Sequence, residues 1–329
     1  MRFVIYGAGA IGGTIAARLH ESGHEVAVIA RGDHLRAIRE RGLLFRTPEG
    51  AQRLSIPAVV HPGEVEWTGR EVVFLAMKTQ DTEAALRELE AAAGCRVPVV
   101  CAQNGVENER LAARRFATVI AMLVALPATF LVPGEVIASG APLSGCLHAG
   151  LYPRGSDALV EEVCAALSAS KFHALPSPDV MALKYRKLLL NLGNALDVLT
   201  GRSSWGAGGR VGALLARLRE EGEACYRAAG IPYVSAEEYA ERVQRHYRAV
   251  PVDGEPRSGS STLQSVLRGH RTIEVDYLNG EIVLLGRLYG VPTPVNAAVR
   301  ELAVRAASAG EVAGYTIDDL EALIETGRG

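Results

Sequence analysis

Short apolar runs alternate with amphipathic stretches through the first half of this chain. Residues 2–6, 25–30, 72–77, 99–102 and 118–124 are nearly continuous in Val, Ile, Leu, Ala and Phe. Such runs are expected of strands buried on both faces of a parallel sheet. Residues 11–22, closed by Gly23, and residues 81–93 carry helical spacing between them, which predicts strand–helix–strand crossovers. From residue 127 to 155 Gly, Pro and Ser are frequent. The short runs 135–138 and 146–149 there predict an antiparallel edge, followed by a helix over 157–169. Beyond residue 175 the pattern changes. Helices are predicted over 180–199, 211–229, 236–250, 273–289, 294–307 and 317–326, with breaks at 201–210, 230–232, 252–259 and 290–294. The reading is an α/β Rossmann-type domain over 1–175 and an all-α domain over 176–329.

A chain of 329 residues with 48% hydrophobic and 22% charged residues has ordinary globular composition, and its length favours two domains. The formal net charge of −2 is spread along the chain, which excludes the basic footprint of a nucleic-acid or anionic-lipid binder. Five scattered cysteines without a CxxC pair argue against a disulfide framework or a thiolate zinc site, and place the chain in a reducing cytoplasm. The first 17 residues are apolar, but Gly7, Gly9, Gly12 and Gly13 would disrupt the helix of a signal sequence. The run over 116–132 approaches the length of a membrane span but contains Pro127, so strands with a bend are predicted and no membrane segment.

Gly7-Ala8-Gly9-Ala10-Ile11-Gly12 is a GxGxxG that directly follows a strand and opens a helix. The chemistry needs glycine three times: for the tight turn, for backbone approach to a pyrophosphate, and for helix–strand packing. Free N–H groups at the helix start then receive the phosphates. The second strand ends at Arg31, where an NAD-selecting domain has an acidic residue. A guanidinium there suits a 2′-phosphate and favours NADP(H). Lys78 and Asn104 follow two further strands, at the ends where open α/β sheets bind ligands. Each is a candidate contact for the cofactor, and Asn104 for the substrate as well.

In the helical half, Lys184, Lys187, Asn191 and Asn194 fall on one stripe of the helix predicted over 180–199. A second polar cluster comprises Ser260-Ser261-Thr262-Leu263-Gln264, the segment from Ile273-Glu274 to Asn279-Gly280, and Pro292-Thr293-Pro294-Val295-Asn296. With the glycine loop, Arg31, Met77-Lys78 and Asn104-Gly105, these motifs resemble the ketopantoate reductase family over nearly the whole chain. The resemblance implies a Rossmann domain followed by a helical domain like that of 6-phosphogluconate dehydrogenase, with the family's active site in the cleft between them. It implies Lys187 as general acid and Glu274 as the carboxylate that orients it and holds substrate hydroxyls. Asn191 and Ser261 would face the substrate, and Asn104 would lie beside the nicotinamide. The chain departs from the family pattern at Ala195, where a second asparagine is expected and neighbouring Asn194 is the substitute. It also departs at Tyr185, which replaces a tryptophan, at Ser265, and in one extra residue before Glu274.

The implied reaction is hydride transfer from NADPH to the C2 carbonyl of a small 2-oxo acid, with a proton supplied by Lys187. Lysine suits that role where partial burial brings its pKa toward the working pH. The leading substrate is 2-dehydropantoate, and a homodimer through the helical domain is a family-level expectation. Two alternatives stand beside this reading. One is a related dehydrogenase acting on another 2-oxo acid or on an opine or 3-hydroxyacyl substrate. The other is an NADP(H)-binding regulator without catalysis.

Overall fold

Phe3, Val4, Ile5, Val73, Phe74, Leu75, Val99, Val100 and Ile120 are wholly removed from solvent. Strands of this composition must be covered on both faces. The molecule is a computed structural model describing residues 1–204, 206–255, 259–310 and 312–325, with the side chain of Ser261 outside that set. The chain divides into two compact units, one of Met1–Lys184 with Ser235–Arg257 and one of Tyr185–Val234 with Ser258–Gly329.

The first unit runs β1 (Arg2–Tyr6), α1 (Ala10–Glu21), β2 (Glu25–Ile29), α2 (Gly32–Arg41), β3 (Leu43–Thr47), β4 (Gly50–Leu54), β5 (Ala58–Val59), β6 (Glu71–Leu75), α3 (Thr79–Ala93), β7 (Val99–Cys101), α4 (Asn108–Ala113) and β8 (Val119–Met122). It continues through β9 (Ala128–Thr129), β10 (Glu135–Ala138), β11 (Gly140–Pro142), β12 (Gly145–Cys146), β13 (Ala149–Leu151), α5 (Ala158–Ala169), β14 (Phe172–His173) and the start of α6 (Val180–Asn191). The main sheet has the order β13-β8-β7-β6-β1-β2-β5. It is parallel from β8 to β5 and closed by antiparallel β13. Without β13 this is the doubly wound order of dinucleotide-binding domains, whose ligand crevice lies where the order reverses beside β1. The predicted antiparallel edge is present at β13, but β9 and β10 instead join β3 and β4 in a second, four-stranded sheet. α1 lies close against β10: a Cβ on Gly13 would come within 2.7 Å of Val136 Cγ2.

The second unit takes the rest of α6, then α7 (Asn194–Thr200) and α8 (Gly209–Ala229). The chain then contributes α9 (Ala236–Arg242) and β15 (Tyr247–Ala249) to the first unit and returns for α10 (Ser261–Leu267), α11 (Asn279–Tyr289), α12 (Pro294–Ala309) and α13 (Ile317–Glu325). Predicted residue 326 of that last helix lies outside the described residues. The core of this unit holds Leu214, Leu218, Tyr226, Ile282, Val299 and Ala303, all solvent-free. Each large aliphatic buried in this way contributes about 1.5–3 kcal/mol.

The opening stretch of the first compact unit runs to Lys184, where the domain boundary was expected near residue 175, and the helix expected over 236–250 in the helical half falls within residues 235–257 of the first unit. The reasons are specific: Arg242 binds both oxygens of Asp179 at 2.9 and 3.0 Å, β15 pairs with β11, and the His246 ring stacks on His173 at 3.5 Å. The helix predicted over 180–199 is two helices, interrupted at Leu192-Gly193. The carbonyls near that break find side-chain donors: Asn279 Nδ2 donates to Leu192 O at 3.1 Å and Ser204 Oγ to Gly193 O at 2.9 Å.

Candidate active site

The glycine loop sits between β1 and α1, and its glycines answer to different demands. Gly7 has φ +102°, and a Cβ there would lie 2.8 Å from the Met77 amide nitrogen. At Gly12 a Cβ would fall 1.9 Å from Gly7 O and 2.9 Å from Ala76 Cβ. Both glycines are therefore required by the protein itself. Gly9 is different: its nearest neighbour would be Phe130 Cδ1 at 3.8 Å, an ordinary contact. No described protein atom demands a glycine there, so the space beside it would admit the close approach of a ligand. Ala8 and Ala10 complete the turn, and Ile11 lies in the first turn of α1. The residues present fit a bound pyrophosphate.

A residue that sequence reasoning missed secures this loop. His34, buried in α2, donates from Nε2 to Ala8 O at 2.7 Å and accepts the Gly134 amide at Nδ1 at 2.8 Å. Burial pulls its imidazole below the ordinary value, consistent with a neutral ring that both donates and accepts. Nothing local marks this role, because Gly134 lies 100 residues away.

Arg31 caps the start of α2 and Lys78 the start of α3, so both stand at C-terminal ends of parallel strands as expected. The loops after β6 and β7 are stitched together. Gln103 Nε2 donates to Met77 O at 2.9 Å and to Thr82 Oγ1 at 2.8 Å, and Asn108 Nδ2 donates to Thr79 Oγ1 and to Asn104 O, each at 3.1 Å. Asn104 Oδ1 is buried and has no hydrogen-bond partner among the described residues. A buried acceptor left unpaired carries a free-energy cost that a bound ligand can relieve.

The lysines of α6 separate. Lys184 Nζ is buried and donates to Gln103 O at 2.9 Å and Met122 O at 3.0 Å, while lying 2.7 Å from Glu109 Oε1. With its ammonium fully engaged, Lys184 is a structural clamp of the first unit and not an alternative proton donor. Lys187, one turn further along α6, is half-buried in the second unit. Asn191 is buried, and its Nδ2 has no hydrogen-bond partner among the described residues. Asn194 opens α7, beyond the break, so the wheel angle that grouped it with Lys187 does not carry across.

Glu274 is buried in a short 3-10 turn just ahead of α11. Ser260 caps α10 by accepting the Leu263 amide at 3.3 Å, and the side chain of Ser261 lies outside the described residues. Asp197 here escaped the sequence reading, and Thr262 was read there only as part of a polar cluster. Asp197, buried in α7, accepts from the Ser260 amide at 3.1 Å and from the Ser204 amide and hydroxyl, each at 2.7 Å, so it fixes the start of the helix that carries Ser261. Thr262, 2% exposed, has a hydroxyl oxygen without a hydrogen-bond partner among the described residues. The motif residues Asn279 and Asn296 turn out to be structural. Asn279 Nδ2 donates to Asn296 Oδ1 at 3.1 Å, and Asn296 Nδ2 to Glu221 Oε2 at 2.8 Å, tying α11, α12 and α8 together.

Comparison with known proteins decides the family. Residues 3–150 match the model for ketopantoate reductase PanE/ApbA, and residues 179–306 match its C-terminal model. The chain belongs to the ketopantoate reductase family. As a member it is an oxidoreductase with a Rossmann-type first domain and a helical second domain. It is 30% identical to a 2-dehydropantoate 2-reductase of Caulobacter vibrioides over 306 residues, covering 90% of this chain and 95% of that one. A family ketopantoate reductase structure from Ralstonia eutropha superposes with a TM-score of 0.79 at 28% identity, covering 94% of this chain and 99% of the other. The fold is shared by a D-mandelate dehydrogenase solved with NADH and anilino(oxo)acetate, with a TM-score of 0.80, 24% identity and the same coverages of 94% and 99%. Among the described residues no helix is long and apolar enough to cross a membrane.

Proposed function

We propose that this family member catalyses the NADPH-dependent reduction of 2-dehydropantoate to pantoate, a step of pantothenate and coenzyme A synthesis. The observation that carries the reading is the glycine loop, where Gly9 is required by no described protein atom, in a chain whose 30%-identical relative is named for this reaction. The loop from Gly7 to Gly12 would hold the pyrophosphate, with Arg31 and Lys78 on the phosphate and ribose. When bound, the reduced nicotinamide supplies the hydride for C2 of the oxo acid. Lys187 gives its proton to the developing alkoxide oxygen. Glu274 orients that ammonium and receives substrate hydroxyls. Ser261 and Asn191 hold the substrate, with Asn194 in the place of the second motif asparagine, and Asn104 lies beside the nicotinamide. A homodimer through the helical unit belongs to the same reading; Leu284 and Leu288, exposed one turn apart on α11, offer it an apolar surface.

Ala195 favours a second reading of the substrate. It is 2% exposed and apolar where the family motif has an asparagine, which suits a 2-oxo acid with fewer hydroxyls. A panel of 2-oxo acids assayed with NADPH and with NADH separates the two: strongest turnover of a linear or aromatic acid over 2-dehydropantoate defeats the pantothenate assignment. Replacing Lys187 by Ala tests the mechanism. Loss of a general acid costs roughly 10²–10⁴ in turnover, with NADPH affinity retained; turnover within about tenfold of the parent removes Lys187 from the role.

A further inference from the structure

Arg31 enters the nucleotide reading as the cation for a 2′-phosphate, yet its guanidinium already has partners within the first unit. Its Nη2 lies 2.9 Å from Glu88 Oε2 and 3.4 Å from the Tyr6 hydroxyl. Glu88 is held in turn: the Tyr6 phenol donates to that same carboxylate oxygen, and His61 Nε2 stands 3.9 Å from it. Burial, followed by the Glu88 hydrogen bond, pushes the Tyr6 phenol well above its ordinary value, so it remains a donor at any working pH. Three elements thus converge: the last residue of β1, the cap of α2 and the body of α3.

The chemistry of selection at this place is well defined. A domain that selects NAD sets a carboxylate at the end of its second strand, whereas one that selects NADP sets a cation there. This chain has the cation in sequence and brings the carboxylate to it from α3. A 2′-phosphate that takes up the Arg31 guanidinium must draw it off Glu88 and so forfeits that ion pair. A ribose 2′-hydroxyl makes no such demand. We propose that Glu88 is a specificity-determining residue of the nucleotide site, which acts through Arg31 to narrow the preference for NADP(H) over NAD(H). This rests on reading the glycine loop and Arg31 as a nicotinamide-dinucleotide site.

The Arg31 and Glu88 side chains are 59% and 33% exposed, so solvent screens the pair and the effect is bounded. Coupling of that kind corresponds to about two- to fivefold in affinity. The test is titration of the full-length protein with NADPH and with NADH, followed by nucleotide fluorescence, for the parent, Glu88→Gln, Arg31→Ala and the double variant. Glu88→Gln is expected to lower the ratio of the NADPH to the NADH dissociation constant by about two- to fivefold. In the Arg31→Ala background the same change should leave the ratio where it was. A ratio that is unaltered or raised in Glu88→Gln overturns the proposal, as does an effect that persists without Arg31. If the folded parent binds neither nucleotide, the reading of the site itself fails and the proposal goes with it. Binding of both with no response to Glu88→Gln defeats the specificity role alone.

Discussion

Replacing Lys184 by Met probes a deeply buried ion pair of the first unit. Methionine keeps the length of the aliphatic stem but removes the ammonium. The Glu109 side chain, 0% exposed, then loses its countercharge, and the carbonyls of Gln103 and Met122 lose a shared donor. An unpaired carboxylate at such depth is unfavourable enough that the group takes a proton instead. Burial already pushes the Glu109 carboxyl above its ordinary value, with Lys184 pulling the other way. Keeping a carboxyl of unfolded pKa about 4.3 protonated at pH 7 costs about 3.7 kcal/mol, which sits within the roughly 3–5 kcal/mol typical of a broken buried pair. The sign follows from linkage. The native variant holds a proton that the unfolded chain releases above about pH 4.3, so the variant loses stability as pH rises, by up to about 1.4 kcal/mol per pH unit. Urea unfolding at pH 5.5 and 7.5, read by circular dichroism, should therefore show a deficit of about 3–5 kcal/mol at the higher pH and a smaller one at the lower. Adding Glu109→Gln, which removes the titrating group, should recover at least half of it. A deficit below about 1 kcal/mol at pH 7.5, one that ignores pH, or a double variant no better than the single one refutes the reasoning.

Substituting the loop glycines should separate protein demand from ligand demand. Gly7→Ala, forced to φ +102° against the Met77 amide, should lower the melting temperature, whereas Gly9→Ala should leave it nearly unchanged and weaken nucleotide binding; equal melting losses at both positions would contradict the assignment. Asp197→Ala leaves the Ser260 and Ser204 donors unpaired and should destabilise the protein by about 2–4 kcal/mol, which thermal unfolding will measure. In the first unit, burial, then the neighbouring His246 and His148, pull the His173 imidazole down to about 4. The unfolded ring takes its proton below about 6.5 while the native one stays neutral, so this contribution is complete above pH 6.5 and is lost as pH falls toward 4. His173→Phe should flatten the acid limb of a stability–pH profile, and an unchanged limb would remove the histidine stack as its cause.

Much of the first unit was legible in local pattern. The runs that became β1, β2, β6, β7 and β8 are apolar because both faces of the sheet are covered, and that demand is written in the residues themselves. The glycine loop was legible for a similar reason, since a turn at positive φ and a close helix–strand approach leave a signature within six residues. The hairpin of β3 and β4 escaped because four of the five β4 residues face solvent and carry no apolar alternation. Residues 236–250 had helical composition but became α9, a 3-10 turn and β15, because Arg242, His246 and the edge of β11 offered partners in the first unit.

By itself the sequence determined the doubly wound domain, the place of its glycine loop, the helical second half and the family, since each is encoded in spacing over one or two turns or in a contiguous motif. Only the tertiary structure decided what each polar side chain does. Lys184 and Lys187 stand one turn apart and look equivalent on a helical wheel, yet the carbonyls that bind Lys184 come from 62 and 81 residues away and its countercharge is Glu109. The break after Asn191 is stabilised by a donor 87 residues on, and Arg31 meets its carboxylate 57 residues later. A polar group keeps or loses its chemistry according to who shares its burial, and chain topology, not local pattern, brings those partners together.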